Sequence, residues 1–427
     1  MVKNHDAQWY SQLIKLTRGN TDEAEWIQGH MHIDLDERDR FFDNEIENPL
    51  LEYRHTKSID SLTSLKSDEL HTLLADVETA ESDDIVRDLY VRKIKKQCVR
   101  IDLLNASLAK NDKEFYRLSC QLHGKPQKKY FAYIAKQVNG MCKLTAETCP
   151  SEVRRLKKIF SKISTTDVDI SADILPPVVA GGKVLKTTDE VIAIFQETLD
   201  HLQIKGWSLV VDTSGQRSRF SVQQANKIVH IPSAKQLQLR PRPLTDVQVE
   251  ALAAHEIGVH VRRAQNGAAS GLDLLQHGLD SYLAGEEGLA SYMQQQCEGG
   301  TEFYGFDRYM AASLAVGLDG TRRDFRAVFS TMVDYYTIQA SLAKREDRIV
   351  PIRAAWDVCV RIFRGTTGQS AGYIYTKDIV YMEGNIGIWH LLSERPHVFP
   401  LLFLGKFNPL MPKHVKALQS LEIITDW

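Results

Sequence analysis

The chain has 427 residues, which is enough for two or three domains or for one large enzyme with an accessory lobe. Its 43% hydrophobic and 25% charged residues are typical of a globular protein, and the formal net charge of -2 does not favour nucleic acid or an anionic membrane surface as the main partner. No run of about 18 apolar residues occurs, so we expect no membrane span.

The cysteines and the N-terminus indicate a cytoplasmic protein. Six cysteines are scattered along the chain without a CxxC pair, so we interpret them as reduced thiols. The N-terminal segment MVKNHDAQWYSQLIKL lacks the apolar centre of a secretory signal peptide.

Residues 1–170 are predicted to form a helical N-terminal region. Segments such as SDDIVRDLYVRKIKKQ place apolar residues three and four positions apart among dense charge, which is typical of amphipathic helices. The stretch DILPPVVAGG then interrupts the pattern. We therefore predict a second domain over residues 171–427, in which the first helix starts at Thr187 or Thr188.

A small sheet is predicted before the segment that carries the chemistry. Residues 207–212 (WSLVVD) are typical of a buried strand, and the segments RFSVQQ and KIVHIP are typical of two short strands joined by a turn at Ala225–Asn226. We expect these strands to form an antiparallel sheet.

The helix after the sheet carries a metal-binding pattern. Thr245 and Gln248 fit a capping box at its start, and the helix contains His255-Glu256-Ile257-Gly258-Val259-His260, an HExxH zinc motif with one residue added. Residues i and i+5 of a regular α-helix lie about 140° apart, so the histidines share a face only if the helix contains a π-bulge. Gly258 lowers the cost of that distortion.

A catalytic zinc ion usually takes three protein ligands and leaves one position for water. Glu286-Glu287 opens the helical stretch EEGLASYMQQQ, and a helix packed beside the HExxxH helix brings an acidic ligand to the two histidines. Glu256 is then the general base that takes a proton from the attacking water. His277, between the two motifs, is a rival ligand, which we interpret as structural.

HEIGVH followed by EEGLA resembles the tubulin tyrosine carboxypeptidase family of microtubule-associated metallopeptidases, and its bacterial relatives, the flavohaemoglobin expression-modulating QEGLA-motif proteins. A more distant likeness is to dipeptidyl peptidase III. The resemblance implies one zinc ion, His255 and His260 as ligands and Glu256 as catalytic residue. It implies Glu287 as the third ligand, because QEGLA relatives keep only the second glutamate. Glu286 is then expected to orient a histidine.

Residues 361–385, RIFRGTTGQSAGYIYTKDIVYMEGN, also resemble this family. A carboxypeptidase must hold a terminal carboxylate, for which Arg364 and Lys377 are the candidates. Tyr381, with Tyr375 as second choice, is the candidate donor to the developing oxyanion. The alternative to these functional roles is a structural one: Lys377 forms a surface ion pair, and Tyr381 lies in the core.

The sequence thus predicts a predominantly helical α+β protein, with a zincin-like catalytic domain and a small antiparallel sheet beside the HExxxH helix. We expect a zinc carboxypeptidase that removes C-terminal residues, such as tyrosine or another aromatic residue, from peptides or protein tails, with no nucleic-acid or membrane partner. One alternative is a regulatory or binding protein with a structural metal site, closed by a fourth ligand such as His277 or Cys297. Another is an amidase. Arg262 and Arg263 are expected to complement the C-terminal end of their helix dipole, with binding of a substrate carboxylate as the alternative.

Overall fold

A computed structural model describes residues 4–17, 31–32, 35–53, 57–166, 168–213, 219–240, 243–345, 347 and 349–427. Helices dominate it, and together with small sheets they confirm the predominantly helical α+β class. In the part of the chain before the predicted boundary, the helices are α1 (Ala7–Thr17), α2 (Leu35–Phe42), α3 (Lys57–Ala80), α4 (Asp84–Leu108), α5 (Asp112–His123), α6 (Lys128–Leu144) and α7 (Pro150–Phe160).

The helices after residue 170 carry the predicted motifs. They are α8 (Thr188–His201), α9 (Ala234–Gln238), α10 (Asp246–His255), α11 (Arg262–Ala268), α12 (Leu274–His277), α13 (Leu283–Glu298), α14 (Phe306–Val316), α15 (Phe325–Leu342), α16 (Ile349–Phe363), α17 (Ile379–Glu394) and α18 (Pro412–Ser420). Short 3₁₀ turns cover Ala172–Ile174, Gln224–Asn226, Thr376–Asp378 and Pro396–Phe403. Capping boxes at Thr187 and Thr245 start α8 and α10, as the sequence predicts.

Two sheets are present in the described residues. A two-stranded antiparallel ribbon pairs β1 (Met31–His32) with β2 (Glu52–Tyr53). The predicted strands appear as β3 (Ser208–Asp212), β4 (Ser221–Gln223) and β5 (Ile228–Pro232).

The expectation that all three predicted strands run antiparallel is wrong for one pair. β4 and β5 form the expected hairpin, whose turn ends at Lys227 in the left-handed conformation (φ 54°). The strand order is β3-β5-β4, and β3 runs parallel to β5. The hairpin therefore docks through its second strand, and the sheet is mixed.

The sheet packs on the helix that carries HExxxH. Val229 and Ile231 of β5 lie in one buried cluster with Phe195 of α8 and with Ala253 and Ile257 of the motif helix. This packing fixes the position of the motif helix against the sheet.

The largest hydrophobic core joins both halves of the chain. Phe131 and Phe160, from α6 and α7, share it with Tyr309, Met332 and Phe363 of later helices. The division at residue 170 stays a prediction. Among the described residues, no helix is both long and apolar enough to cross a bilayer.

Helices α13 and α17 approach each other at a pair of glycines. A Cβ atom added to Gly288 would lie 2.4 Å from the carbonyl of Gly384, and one added to Gly384 would lie 1.9 Å from the Ala284 carbonyl oxygen. Neither position has room for a side chain, so the two helices touch backbone to backbone.

Candidate metal centre and active site

The motif helix departs from α-helical geometry where the sequence requires it. α10 ends at His255, and Glu256–Val261 form a π-helical segment before α11 begins. The expected bulge is therefore confirmed. It brings the His255 and His260 rings to 5.1 Å between centroids, although the two residues are five positions apart.

Glu287 completes a group of three ligand-type side chains. It lies in the first turns of α13, and its Oε2 atom is 3.9 Å from His255 Nε2 and 4.0 Å from His260 Nε2. One ligand atom from each residue falls within 4.8 Å of the others. Two imidazoles and a carboxylate are the donor set of catalytic zinc, and ligand bonds of about 2.0–2.2 Å put one ion within reach of all three after small side-chain movements.

Each histidine is oriented by a hydrogen bond on its other ring nitrogen. His255 Nδ1 donates to Gln294 Oε1 at 3.1 Å, and His260 Nδ1 donates to Glu286 Oε1 at 2.9 Å. A protonated Nδ1 leaves the Nε2 lone pair facing Glu287, which is the tautomer that a metal ligand needs.

The Glu286 carboxylate is itself fixed by two cations. Arg263 Nη1 donates to Glu286 Oε2 at 2.6 Å, and Lys406 Nζ lies 3.3 Å from Oε1. The pKa of Glu286 is lowered: burial alone would raise it, but these cations and the hydrogen bond from His260 outweigh burial.

Arg263 is fully buried, and the expectation that it complements a helix dipole is wrong. Besides Glu286, it donates from Nε to the Gly405 carbonyl at 2.8 Å and from Nη2 to the Phe407 carbonyl at 2.7 Å. The guanidinium thus ties the ligand-orienting carboxylate to the segment that follows α17.

Glu256 is buried near the two histidines and Glu287 but does not belong to the ligand group. It is 9% exposed and interacts electrostatically with His260, Glu287 and Lys406. Burial raises the pKa of Glu256 to about 7. A carboxyl group in this position is suited to take up and release a proton near neutral pH.

Arginines from two other helices converge beside this group. Asp378 accepts from Arg361 Nε at 2.7 Å and from Arg364 Nη2 at 3.1 Å, and Arg308 Nη1 lies 3.9 Å from the same carboxylate. These cations outweigh the effect of burial and lower the pKa of Asp378. The Tyr381 ring lies between two of them, 4.5 Å from Arg308 Cζ and 5.5 Å from Arg361 Cζ.

The candidates for binding the terminal carboxylate and the oxyanion do not all lie at one place. Tyr381 is near the metal group, since the Glu287 charge acts on it and burial raises its pKa to about 12. Tyr375 is fully buried in a different apolar cluster, with Phe115. Arg364 and Lys377 are both nearly buried, and the guanidinium of Arg364 lies over the Tyr375 ring.

The two rivals for the metal lie outside the ligand group. Gln224 Nε2 is 3.5 Å from His277 Nδ1, and the His277 ring faces that of Tyr10 at 5.6 Å. Cys297 is a half-buried thiol later in α13. In the described part of the chain, the group of His, Cys, Asp and Glu side chains around this point has the three members named above.

Several of these residues could not be predicted from the sequence. Gln294, Lys406 and Arg308 belong to no motif, and Arg361 is one residue of the longer block 361–385. A partial signal existed for Gln294, which follows Glu287 by seven residues and so lies on the same face of α13. No local pattern connects Arg308 with Arg361, because they come from different helices.

The family comparison agrees with the resemblance in the motifs. The model of the family described as "Microtubule-associated tyrosine carboxypeptidase" matches residues 210–426, which is just over half of the chain and includes the three ligand-type residues and the arginines from α14 and α16. No curated protein and no solved structure matches the chain at a significant level. The extent of the family match shows that this chain belongs to the microtubule-associated tyrosine carboxypeptidase family.

Proposed function

We propose that this protein is a zinc carboxypeptidase that removes a C-terminal residue, with tyrosine as the first candidate, from a peptide or protein tail. The observation that carries the proposal is the convergence of His255, His260 and Glu287, with Glu256 beside them. The family description supplies the reaction type and the terminal residue.

The donor set and its supports fit zinc. Two neutral imidazole nitrogens and one carboxylate are borderline-soft ligands that zinc prefers, and each imidazole has an orienting partner in Gln294 or Glu286. When bound, zinc supplies a Lewis acid that polarises the scissile carbonyl and lowers the pKa of the attacking water.

Two residues of the chain carry out the other steps, which are proton transfer and stabilisation of the oxyanion. Glu256 takes the proton from the water and passes it to the leaving amine, which matches its buried position beside the ligands. Tyr381 donates a hydrogen bond from its phenolic hydroxyl to the oxyanion that develops on the scissile carbonyl, a role supported by its place beside Arg308 and Arg361 and by the action of the Glu287 charge on it.

A structural metal site has less support. Such a site is closed by a fourth protein ligand, whereas the ligand group described above has three members and excludes His277 and Cys297. Glu256, buried next to the group without belonging to it, also has no part in a purely structural site.

The substitution Glu256→Gln distinguishes a catalytic metal site from a structural one. We expect it to keep one zinc ion per chain, measured by elemental analysis, and to reduce hydrolysis by about 10²–10⁴-fold. A peptide library incubated with the zinc-loaded wild type and read by mass spectrometry should show shortening at the C-terminus. Full activity of Glu256→Gln would eliminate the general-base assignment, and shortening at the N-terminus would eliminate the carboxypeptidase.

A further inference from the structure

We infer that Arg308 and Arg361 bind the terminal carboxylate of the peptide substrate and so restrict the enzyme to free C-termini; this inference rests on the proposed function. Arg364 and Lys377, the candidates from the sequence, then support this pair and do not bind the carboxylate themselves.

Arg308 has hydrogen-bonding capacity that the described residues do not use. Its side chain is 15% exposed, and its contacts with carboxylates are long: Nε is 3.8 Å from Asp307, and Nη1 is 3.9 Å from Asp378. No side-chain hydrogen bond connects the guanidinium to the residues that the structure describes. A nearly buried guanidinium with five N–H groups and no close acceptor is suited to receive one from a ligand.

Arg361 is anchored at one end only. Its Nε atom donates to Asp378 at 2.7 Å, which fixes the plane of the guanidinium. The two terminal nitrogens make no hydrogen bond within the described residues, and the side chain is 18% exposed. A guanidinium held in this way presents two parallel N–H groups, the geometry that carboxylates accept.

Like charges are concentrated here. Arg219, an exposed residue just before β4, interacts electrostatically with Arg361, Arg308 and Arg364. Three of the arginines approach the single carboxylate of Asp378. An added carboxylate reduces this repulsion, so the cluster favours an anionic ligand.

The cluster lies beside the metal group. The Tyr304 ring is near both, with its centroid 5.7 Å from Arg308 Cζ and 6.5 Å from the centroid of the His255 ring. The charge of Arg308 acts on His255, and that of Arg361 acts on Glu287. One residue spans about 3.8 Å between consecutive Cα atoms. A carboxylate bound by the arginines therefore brings the preceding peptide bond toward the metal group and beside Tyr381, whose ring centroid is 4.5 Å from Arg308 Cζ.

Arg364 and Lys377 are less suited to direct binding. Arg364 is 6% exposed, donates to Asp378 at 3.1 Å and lies over the Tyr375 ring. Lys377 is 9% exposed in the turn that carries Asp378. The hydrogen bond from Arg364 fixes the Asp378 carboxylate, and this carboxylate in turn orients the guanidinium of Arg361.

The test compares two peptides that end in tyrosine and differ only in their C-terminus, one a free carboxylate and the other an amide. The zinc-loaded wild type is expected to release tyrosine from the free acid and to act on the amide at least about 10- to 100-fold more slowly, the range for a lost charge-assisted hydrogen bond. Arg308→Ala and Arg361→Ala should each lower kcat/KM for the free acid by a similar factor and so reduce the ratio of the rates on the acid and on the amide.

A binding measurement makes the result independent of turnover. In a Glu256→Gln background, calorimetry should show the free acid binding about 10- to 100-fold more tightly than the amide, and either arginine substitution should remove that preference. The matched control is Arg353→Ala, which removes an exposed arginine from the same helix, two turns before Arg361. It should keep the preference.

The outcomes are distinguishable. If the wild type shortens neither peptide, the proposed function fails, and the calorimetric comparison still decides the carboxylate site. If the acid and the amide bind equally in the Glu256→Gln background, the inference is overturned even when hydrolysis occurs. Retention of the preference by both arginine variants also overturns it. Should an alanine variant unfold in a thermal melt, Arg308→Gln or Arg361→Gln takes its place, and retention of the preference for the acid overturns the inference.

Discussion

The two sides of the candidate site are built in different ways. On the metal side, His255 and His260 each donate to a partner, and the second partner, Glu286, is held by a fully buried arginine that also binds two backbone carbonyls. On the arginine side, Arg308 makes no side-chain hydrogen bond in the described residues. The contrast indicates that the first side is preorganised by the protein, whereas the second is completed by a ligand.

The largest expected effect contrasts the two kinds of arginine. Arg263→Met removes a partner from a buried ion pair and should lower the free energy of unfolding by about 3–5 kcal/mol. Arg308→Met removes a guanidinium whose contacts with carboxylates are long, and it should cost about 1–2 kcal/mol through loss of the contact with the Tyr381 ring. Urea unfolding monitored by circular dichroism measures both. Equal losses would show that the two arginines share a structural role and would end the comparison.

Zinc itself should stabilise the metal side. At a free zinc concentration of about 100 times Kd, the free energy of unfolding should rise by about 2.7 kcal/mol, because the ion binds the folded chain. His255→Ala and Glu287→Gln should lose this increment, whereas Arg308→Ala should keep it. The measurement is urea unfolding with zinc and with a chelator. A zinc increment that survives both ligand substitutions would place the ion elsewhere.

A smaller effect tests the close backbone contact between α13, which carries Glu287, and α17. Gly288→Ala puts a methyl group 2.4 Å from the Gly384 carbonyl and should cost about 1–3 kcal/mol. The control is Gly140→Ala in α6, where an added Cβ meets nothing within 4 Å and should stabilise the helix by about 0.5–1 kcal/mol. Thermal melts of the two variants should shift in opposite directions. A neutral Gly288→Ala would mean that the helices can separate without penalty.

The sequence was most informative where the chemistry is local. The capping box at Thr245 and the π-helical segment over Glu256–Val261 follow from contiguous residues whose spacing has one physical solution. The three short strands were also predictable, since each is a compact apolar segment between turns. These features depend on neighbours along the chain, which a single sequence displays directly.

Features that depend on distant segments could not be predicted. The parallel pairing of β3 with β5 reflects which edge of the hairpin docks, and no residue in the hairpin encodes that choice. Arg263 looked like a helix-end cation because its acceptors, the Gly405 and Phe407 carbonyls, lie more than a hundred residues away. Arg308 and Arg361 meet only because α14 and α16 fold together.

The glycine contact between α13 and α17 changes how the EGLA motif should be understood. Glu287 supplies a ligand-type group, but the adjacent Gly288 serves the spacing of two helices, and its counterpart Gly384 lies almost a hundred positions later. A homologous sequence that keeps EGLA but has a bulky residue opposite the glycine is expected to hold its glutamate out of reach of the histidines. Both glycines therefore provide a criterion for deciding which remote homologues retain a working site.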